Sequence, residues 1–352
     1  MKLIVQIPVL DEADSIAGVL ADIPRDIPGI DSVEVLIVDD GCTDNTVAIA
    51  LAHGADHVVR HTSRKGLATA FQTGIDTALR LGADVIVNTD GDHQYPGGEI
   101  PRLIAPILAG QADYVIGDRQ VDSIEHFSPL KKTLQAIGSG VVRWVSETEV
   151  TDAVSGFRAL SREAALRTFV TSDFSYTVEN LIQAGKKRLT VATIPISTNL
   201  VERPSRLHRG NWNFIKQQGA TIVRTYVTYE PLKTFTYLAA PFLLLGVLLL
   251  GRAIFVYLMR QLVNDYPQDN FQSLVGGGVA LLLGFLIFLF GILADRIGGI
   301  RQLLDEVLYR TRSHEVADEE WRRGVSARLN QLEQTLLEDG LGIDSKDNAR
   351  ER

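Results

Sequence analysis

Two apolar runs in the last third of this 352-residue chain constrain its fold more than any other feature. Residues 235–259 carry a single charge, Arg252, and residues 274–294 carry none. A helix rises 1.5 Å per residue, so about 20 residues cross the ~30 Å hydrocarbon layer of a bilayer. Both runs reach that length, and a tandem pair exceeds ordinary core helices. The reading is a membrane hairpin over 234–295, with spans at about 235–259 and 272–295. Between them, Asn264-Asp265-Tyr266-Pro267 is a turn signal. Arg252, near the far end of the first span, either snorkels outward or faces the second helix.

The flanks orient the hairpin. Arg203, Arg206, Arg209, Lys216, Arg224 and Lys233 outnumber Glu202 and Glu230 before it, and Arg296, Arg301, Arg310 and Arg312 outnumber Asp305 and Glu306 after it. The connecting loop sets only Arg260 against Asp265 and Asp269. By the positive-inside rule both termini and the N-terminal domain face the cytoplasm. The apolar stretch after Lys2 is short, contains Pro8 and meets Asp11-Glu12, so no signal peptide is expected there. A net charge of −8 argues against a nucleic-acid partner, and the single cysteine, Cys42, excludes an internal disulfide framework and a cysteine-rich zinc site.

Residues 1–210 alternate short β-branched runs with helical periods. Runs at 3–9, 33–38, 84–88 and 114–117 suit buried parallel strands, and 14–20, 43–53 and 67–81 suit covering helices. Thr43 or Asp44 can cap the second helix, and Gly54 and Gly82 can stop the second and third. This alternation predicts an α/β, Rossmann-like domain with a parallel sheet and ligands at the carboxyl ends of its strands. Segments 129–145 and 211–233 mix tryptophan and aliphatic side chains with Lys131, Lys132, Arg143, Lys216 and Arg224, which suits helices lying in the headgroup layer or packed on the sheet. The charged tail, 296–352, is expected to face the cytoplasm. Within it, 314–338 has a thin seam of Val325, Leu329, Leu332 and Leu336, consistent with a weak coiled coil, hence a homo-oligomer, or with a solvated helix.

Two acidic groups close predicted strands: Asp39-Asp40-Gly41-Cys42-Thr43-Asp44 and Asp90-Gly91-Asp92-His93-Gln94. Asp90 and Asp92, two apart across a glycine turn, can aim both carboxylates at one hard cation, and Gln94 can add a neutral oxygen. Such a cation would neutralise a diphosphate.

These blocks carry a resemblance. With Ile7-Pro8-Val9-Leu10-Asp11-Glu12, Arg64-Lys65-Gly66-Leu67-Ala68, Ile116-Gly117-Asp118-Arg119 and Asp152-Ala153-Val154-Ser155-Gly156-Phe157-Arg158, they resemble, in order, the family 2 glycosyltransferases with the GT-A fold. More narrowly, the chain is similar to the polyprenyl-phosphate branch, the dolichol-phosphate mannosyltransferases and bactoprenol-phosphate glucosyltransferases. The resemblance implies that Pro8, Leu10, Glu12 and Asp39 hold the base and ribose of a UDP- or GDP-hexose, with Asp40 in the same pocket. It implies that Asp90, Asp92 and Gln94 hold Mg²⁺ or Mn²⁺, and that Arg119, with Lys131 or Lys132, receives the lipid phosphate. A Gly-x-Ser-Lys element often closes the family's catalytic domain. Here Arg203-Pro204-Ser205-Arg206 supplies Ser205 and Arg206 for the last two positions but no glycine. Asp11 and Cys42 stand where asparagine and serine are usual.

The expected activity is inverting transfer of a hexose, glucose or mannose, to a polyprenyl phosphate at the cytoplasmic face. A phosphate monoester, with a second pKa near 6, is already a nucleophilic anion, so a strong base is optional. A lipid hydroxyl or polysaccharide acceptor would instead require a carboxylate base. Asp152 is a candidate for it, or serves only to position Arg158 or cap its turn, and Glu179 is equally open. An inactive membrane-anchored scaffold is the non-enzyme alternative.

Overall fold

The strand at Lys2–Val9 (β1) sends alternate side chains to two hydrophobic layers, as a central strand must. Leu3, Val5, Ile7 and Val9 enter one layer and Ile4 the other. In this computed structural model the described residues are 1–120, 140, 142–143, 145–170, 176–199, 219–220, 223–224, 226–263 and 271–338. Further strands are β2 (Ser32–Asp39), β3 (His57–Arg60), β4 (Val85–Asn88), β5 (Tyr114–Asp118), β6 (Arg158–Ser161) and β7 (Val191–Pro195). Among the described residues they form one seven-stranded sheet in the order β3-β2-β1-β4-β6-β5-β7. Helices α1 (Ile16–Asp22), α2 (Thr46–Ala52) and α4 (Ile100–Leu108) cover one face, and α3 (Leu67–Arg80), α5 (Arg162–Arg167) and α6 (Tyr176–Lys186) cover the other.

The sheet is mixed, where the alternation of strands and helices predicts a parallel one. β6 runs antiparallel to both β4 and β5. The cause is connectivity: the chain leaves β5 at the carboxyl edge and re-enters at that edge, with Arg158 opposite Asn88, so it must run back. At α2 the cap differs in detail from the expectation. Asn45 is the N-cap, with no side-chain bond, while the Asp44 carboxylate accepts from the Thr46 amide at 3.0 Å. Gly54 and Gly82 do end α2 and α3, at φ 96° and 84°.

Two long helices follow, α7 (Pro231–Leu262) and α8 (Phe271–Glu338). Both are long and apolar enough to cross a membrane, and only 17% and 22% of their most apolar stretches are buried, unlike core helices. They pack antiparallel, and the glycines of α8 allow the approach. An added Cβ at Gly277, Gly284 or Gly291 would lie 2.9, 2.8 or 2.7 Å from Leu250, Leu243 or Phe235. These glycines recur every seven residues, so they line one stripe of the helix. Arg252 faces the second helix, where its guanidinium donates to the Ser273 hydroxyl.

α8 does not end at the hairpin. It continues without interruption, and Val316, 4% exposed, joins the layer that contains α3, α5 and α6. Val316 is thus docked on the domain, which neither reading of the tail expects, while the seam beyond it stays open at Leu329 and Leu332, each 60% exposed, as both the coiled-coil and the solvated-helix readings require. Of the two expected interfacial segments, 129–139 and 211–218 lie outside the described residues. Val142 and Val145 are buried in that same layer, against which Tyr226 and Tyr229 also pack.

Candidate active site

The register of the sheet brings the sequence blocks to one edge. Val9 pairs with Asp39, Gln6 with Asn88, and Asn88 with Arg158, so the ends of β1, β2 and β4 and the start of β6 lie side by side. Asp39 is fully buried, and one oxygen accepts from the amides of Gly41 (3.0 Å) and Cys42 (2.6 Å). Its other oxygen faces Arg60 Nε at 2.9 Å, off the hydrogen-bond line. Gly41, at φ 91°, makes the turn that this requires.

Asp40 is committed to its own scaffold. Its carboxylate accepts from His61 Nδ1 and from the amides of Lys65 and Gly66, each at 2.8 Å. It therefore clamps the loop that opens α3. Pro8 is buried in β1 opposite Val38, and Leu10 follows the strand's end. Glu12 donates its amide to Thr46 Oγ1 at 2.8 Å. Ser15, which the sequence reading did not single out, donates to the Gly91 carbonyl at 2.6 Å and ties the first block to the Asp90–Asp92 turn.

In that turn the Gln94 amide donates to Asp92 Oδ1 at 3.0 Å. Asp90 accepts no hydrogen bond among the described residues, and an added Cβ at Gly156 would lie 2.8 Å from its Oδ2. Burial, and then the Asp92 charge, push the Asp90 carboxyl up to about 7 against the pull of Arg119 and Arg158. Two residues flanking this turn take parts that the motif alone does not show. Asn88 donates to the Gly156 carbonyl (2.8 Å) and the Tyr176 hydroxyl (2.9 Å) and accepts from Gln6 (2.9 Å). The Tyr95 hydroxyl accepts from the Gly156 amide at 3.1 Å. A polar residue closing an apolar strand, and an aromatic just after an acidic turn, were the available signals.

Across the edge, Arg119 donates from Nε to Asp152 Oδ2 at 2.7 Å and from Nη2 to Oδ1 at 3.0 Å. Burial works against the Asp152 anion, but the Arg119 charge and hydrogen bonds win and hold its carboxyl below the usual range. Arg158, fully buried, does not pair with Asp152. It donates to the carbonyls of Ser155, Thr177 and Ala153 at 2.7, 2.7 and 2.9 Å and to the Tyr114 hydroxyl at 2.7 Å. Glu179 is buried on α6 and accepts from Gln183 at 3.1 Å.

The family model for glycosyl transferase family 2 matches residues 4–169, the stretch that builds this edge. UDP-N-acetylglucosamine–dolichyl-phosphate N-acetylglucosaminyltransferase of Methanococcus voltae is 30% identical over 189 residues, covering 48% of this chain and 75% of that protein. The chain belongs to glycosyl transferase family 2. This chain is also similar to polyprenol monophosphomannose synthase of Mycolicibacterium smegmatis, 28% identical over 207 residues that span 56% of this chain and 77% of that one. A solved glucosyl-3-phosphoglycerate synthase from Mycobacterium tuberculosis, in complex with Mn²⁺, UDP-glucose and phosphoglyceric acid, matches with a TM-score of 0.50 at 20% identity. It covers 64% of this chain and 78% of that one. The shared architecture is the GT-A fold.

The site of this glycosyltransferase has a donor set fit for a hard cation. Asp90, Asp92 and Gln94 offer oxygen only, and Asp90 is a half-buried carboxylate that accepts no hydrogen bond from a described residue. A second cluster, Asp11, Cys42 and Asp44, brings its donor atoms within 4.8 Å of one another but is spent on the turn. Asp11 Oδ1 accepts from the Thr43 amide at 2.7 Å, Asp44 caps Thr46, and burial, with Asp39 beside it, pushes the Cys42 thiol up to about 12. A thiol so firmly protonated is a poor metal ligand. Lys131, Lys132, Ser205 and Arg206 lie outside the described residues.

Proposed function

We propose that this family 2 glycosyltransferase moves a hexose, glucose or mannose, from a nucleotide diphosphate sugar to a polyprenyl phosphate at the cytoplasmic face of a membrane. The observation that carries the reading is the division of the edge into two halves. Carboxylates cluster at the ends of β2 and β4, and a largely buried guanidinium, Arg119, sits beyond β5. Glu12 and Asp39, with Pro8 and Leu10, are proposed to hold the base and ribose, and Asp40 supports that pocket by holding the loop that opens α3. Asp90, Asp92 and Gln94 would hold Mg²⁺ or Mn²⁺, which when bound neutralises the departing diphosphate.

In the transfer, an oxygen of the acceptor phosphate attacks C1 of the hexose. The bond from C1 to the diphosphate oxygen breaks, the nucleotide diphosphate leaves with the electron pair, and the anomeric configuration inverts. The acceptor is already anionic at neutral pH, so the protein's task is to bind and align it. Arg119 suits that task because Asp152 fixes two of its donors and thereby the direction of the fork. Lys131, Lys132, Ser205 and Arg206 are proposed to complete the phosphate contacts. The same pair counts against a hydroxyl acceptor, since Asp152, tied through both oxygens, is a weak base. The polyprenyl- and dolichyl-phosphate relatives and the two exposed apolar helices agree with a lipid acceptor.

The test is to incubate membranes holding the protein with Mg²⁺ or Mn²⁺, polyprenyl phosphate and labelled UDP-glucose, GDP-mannose or UDP-N-acetylglucosamine in turn. Label entering the organic phase with glucose or mannose, and lost in Asp92→Ala, supports the reading. Label confined to water-soluble product overturns it.

A further inference from the structure

Two interleaved series on α8 face the catalytic domain at seven-residue spacing: Asp305, Arg312 and Glu319, and Tyr309, Val316 and Arg323. Seven residues are nearly two turns, so both series lie along one stripe. Each member has a partner on the domain. Asp305 lies 3.6 Å from Lys187, and the Tyr309 hydroxyl donates to Glu163 at 3.0 Å beneath the Arg167 guanidinium. Val316 enters the core layer, and Glu319 lies 3.9 Å from Arg80.

The two arginines close helix ends. Arg312 donates to the carbonyls of Leu166 (2.9 Å) and Thr168 (2.7 Å) at the end of α5 and also pairs with Asp76 of α3. Arg323 donates to the Leu81 carbonyl (2.8 Å) at the end of α3 and lies against Gly82, where an added Cβ would approach its Nη2 to 3.1 Å. These are carbonyls that a helix leaves without internal partners, so the domain's own helices are finished by side chains of α8. A second fastening lies at the foot of α7, where Lys186 bridges Glu230 at 2.8 Å and Glu147 at 2.7 Å.

We infer that residues 305–323 of α8 are a rigid strut that sets the height and tilt of the catalytic cleft over the bilayer and so restricts transfer to acceptors anchored there, with Arg312 as its main positioning residue. This rests on the membrane-bound transferase reading above. Two fastenings on two antiparallel spans leave the domain little freedom to rock. An acceptor phosphate held at headgroup depth meets the cleft only at one setting of that mount, whereas a water-soluble acceptor diffuses to the cleft at any setting.

The experiment uses the full chain in phosphatidylethanolamine–phosphatidylglycerol vesicles, with two acceptors: a long-chain polyprenyl phosphate in the bilayer and a short, water-soluble prenyl phosphate. A seven-residue, alanine-rich helical insertion between Gly298 and Gly299 shifts the strut by about 10 Å while nearly keeping its facing. It should lower turnover of the long-chain acceptor at least tenfold and leave short-chain turnover and donor KM within twofold. Arg312→Ala should split the two acceptors in the same direction by about threefold or more, with partial rescue by Arg312→Lys. Equal loss on both acceptors in both variants would make the contacts merely structural and overturn the inference, as would unchanged transfer to the long-chain acceptor. Failure of the unaltered protein on both acceptors overturns the parent reading, and this inference with it.

Discussion

Arg119 and Asp152, thirty-three residues apart, meet as a two-pronged pair with Nε–Oδ2 at 2.7 Å and Nη2–Oδ1 at 3.0 Å. In the proposed transfer the pair fixes a cation at the acceptor side of the cleft and removes a carboxylate from service as a base. Asp152→Asn should therefore cut kcat by roughly tenfold or more while leaving the shape of the pH–rate profile between pH 5 and 8 unchanged. Loss of an acidic limb in the variant would identify Asp152 as the base instead.

The same pair contributes to stability with a defined sign. Its folded carboxyl lies below the ordinary value of about 3.9, so its contribution is complete above that pH and fades as pH falls through the depressed value. Removing one partner of a buried pair costs about 3 to 5 kcal/mol. Urea unfolding of Arg119→Met at pH 7 should show a loss of that order, shrinking at pH 3.

Asp90 has the opposite sign. Its carboxyl is pushed up to about 7 by burial and by Asp92, so the metal-free protein is stabilised by the proton below the unfolded value and loses that stability as pH rises through 7. The metal-free protein should melt lower at pH 8 than at pH 6, and Asp90→Asn should abolish the difference. A divalent cation must displace that proton, so Mn²⁺ affinity should rise about tenfold from pH 5.5 to 6.5 and level off above 8. Calorimetry in buffers of differing ionisation heat reads the released proton.

Gly156→Ala tests the close approach at the acidic turn. The new methyl would stand 2.8 Å from Asp90 Oδ2, so the carboxylate must move. Transfer should fall more than tenfold and Mn²⁺ should bind more weakly, while far-UV circular dichroism stays unchanged.

The hairpin offers a test independent of catalysis. Gly284 meets Leu243, where an added Cβ would come within 2.8 Å of it, so Gly284→Leu should force α7 and α8 apart. In detergent the variant should unfold several degrees below the parent.

Strands β1, β2, β4 and β5 were legible because Val, Ile and Leu cluster in them, and the two long apolar helices were legible from the length of their runs. β6 was not, because it is four residues long and begins with Arg158, whose charge reads as surface until three carbonyls and a tyrosine hydroxyl are seen to surround it. The acidic turns were visible as motifs, but their allegiances were not. Nothing local says that Asp40 spends itself on Lys65, Gly66 and His61, or that Asp152 answers Arg119 rather than Arg158. The strut escaped for a similar reason. Its contact stripe is polar at most positions, whereas the apolar seam drawn from periodicity runs through Val325, Leu329 and Leu332, and Leu329 and Leu332 are each 60% exposed.

Arg158 also ties two kinds of selection together. Its hydrogen bonds go to neutral groups, so its full positive charge stands inside the domain with the carboxylate of Asp90 as an electrostatic counterpart. The counterpart is outweighed, because burial and Asp92 push the Asp90 carboxyl up to about 7 and its ionised form costs the fold stability. A lineage that has abandoned catalysis should therefore shed the Asp90 charge early, to asparagine, while keeping Arg158 and its four neutral partners.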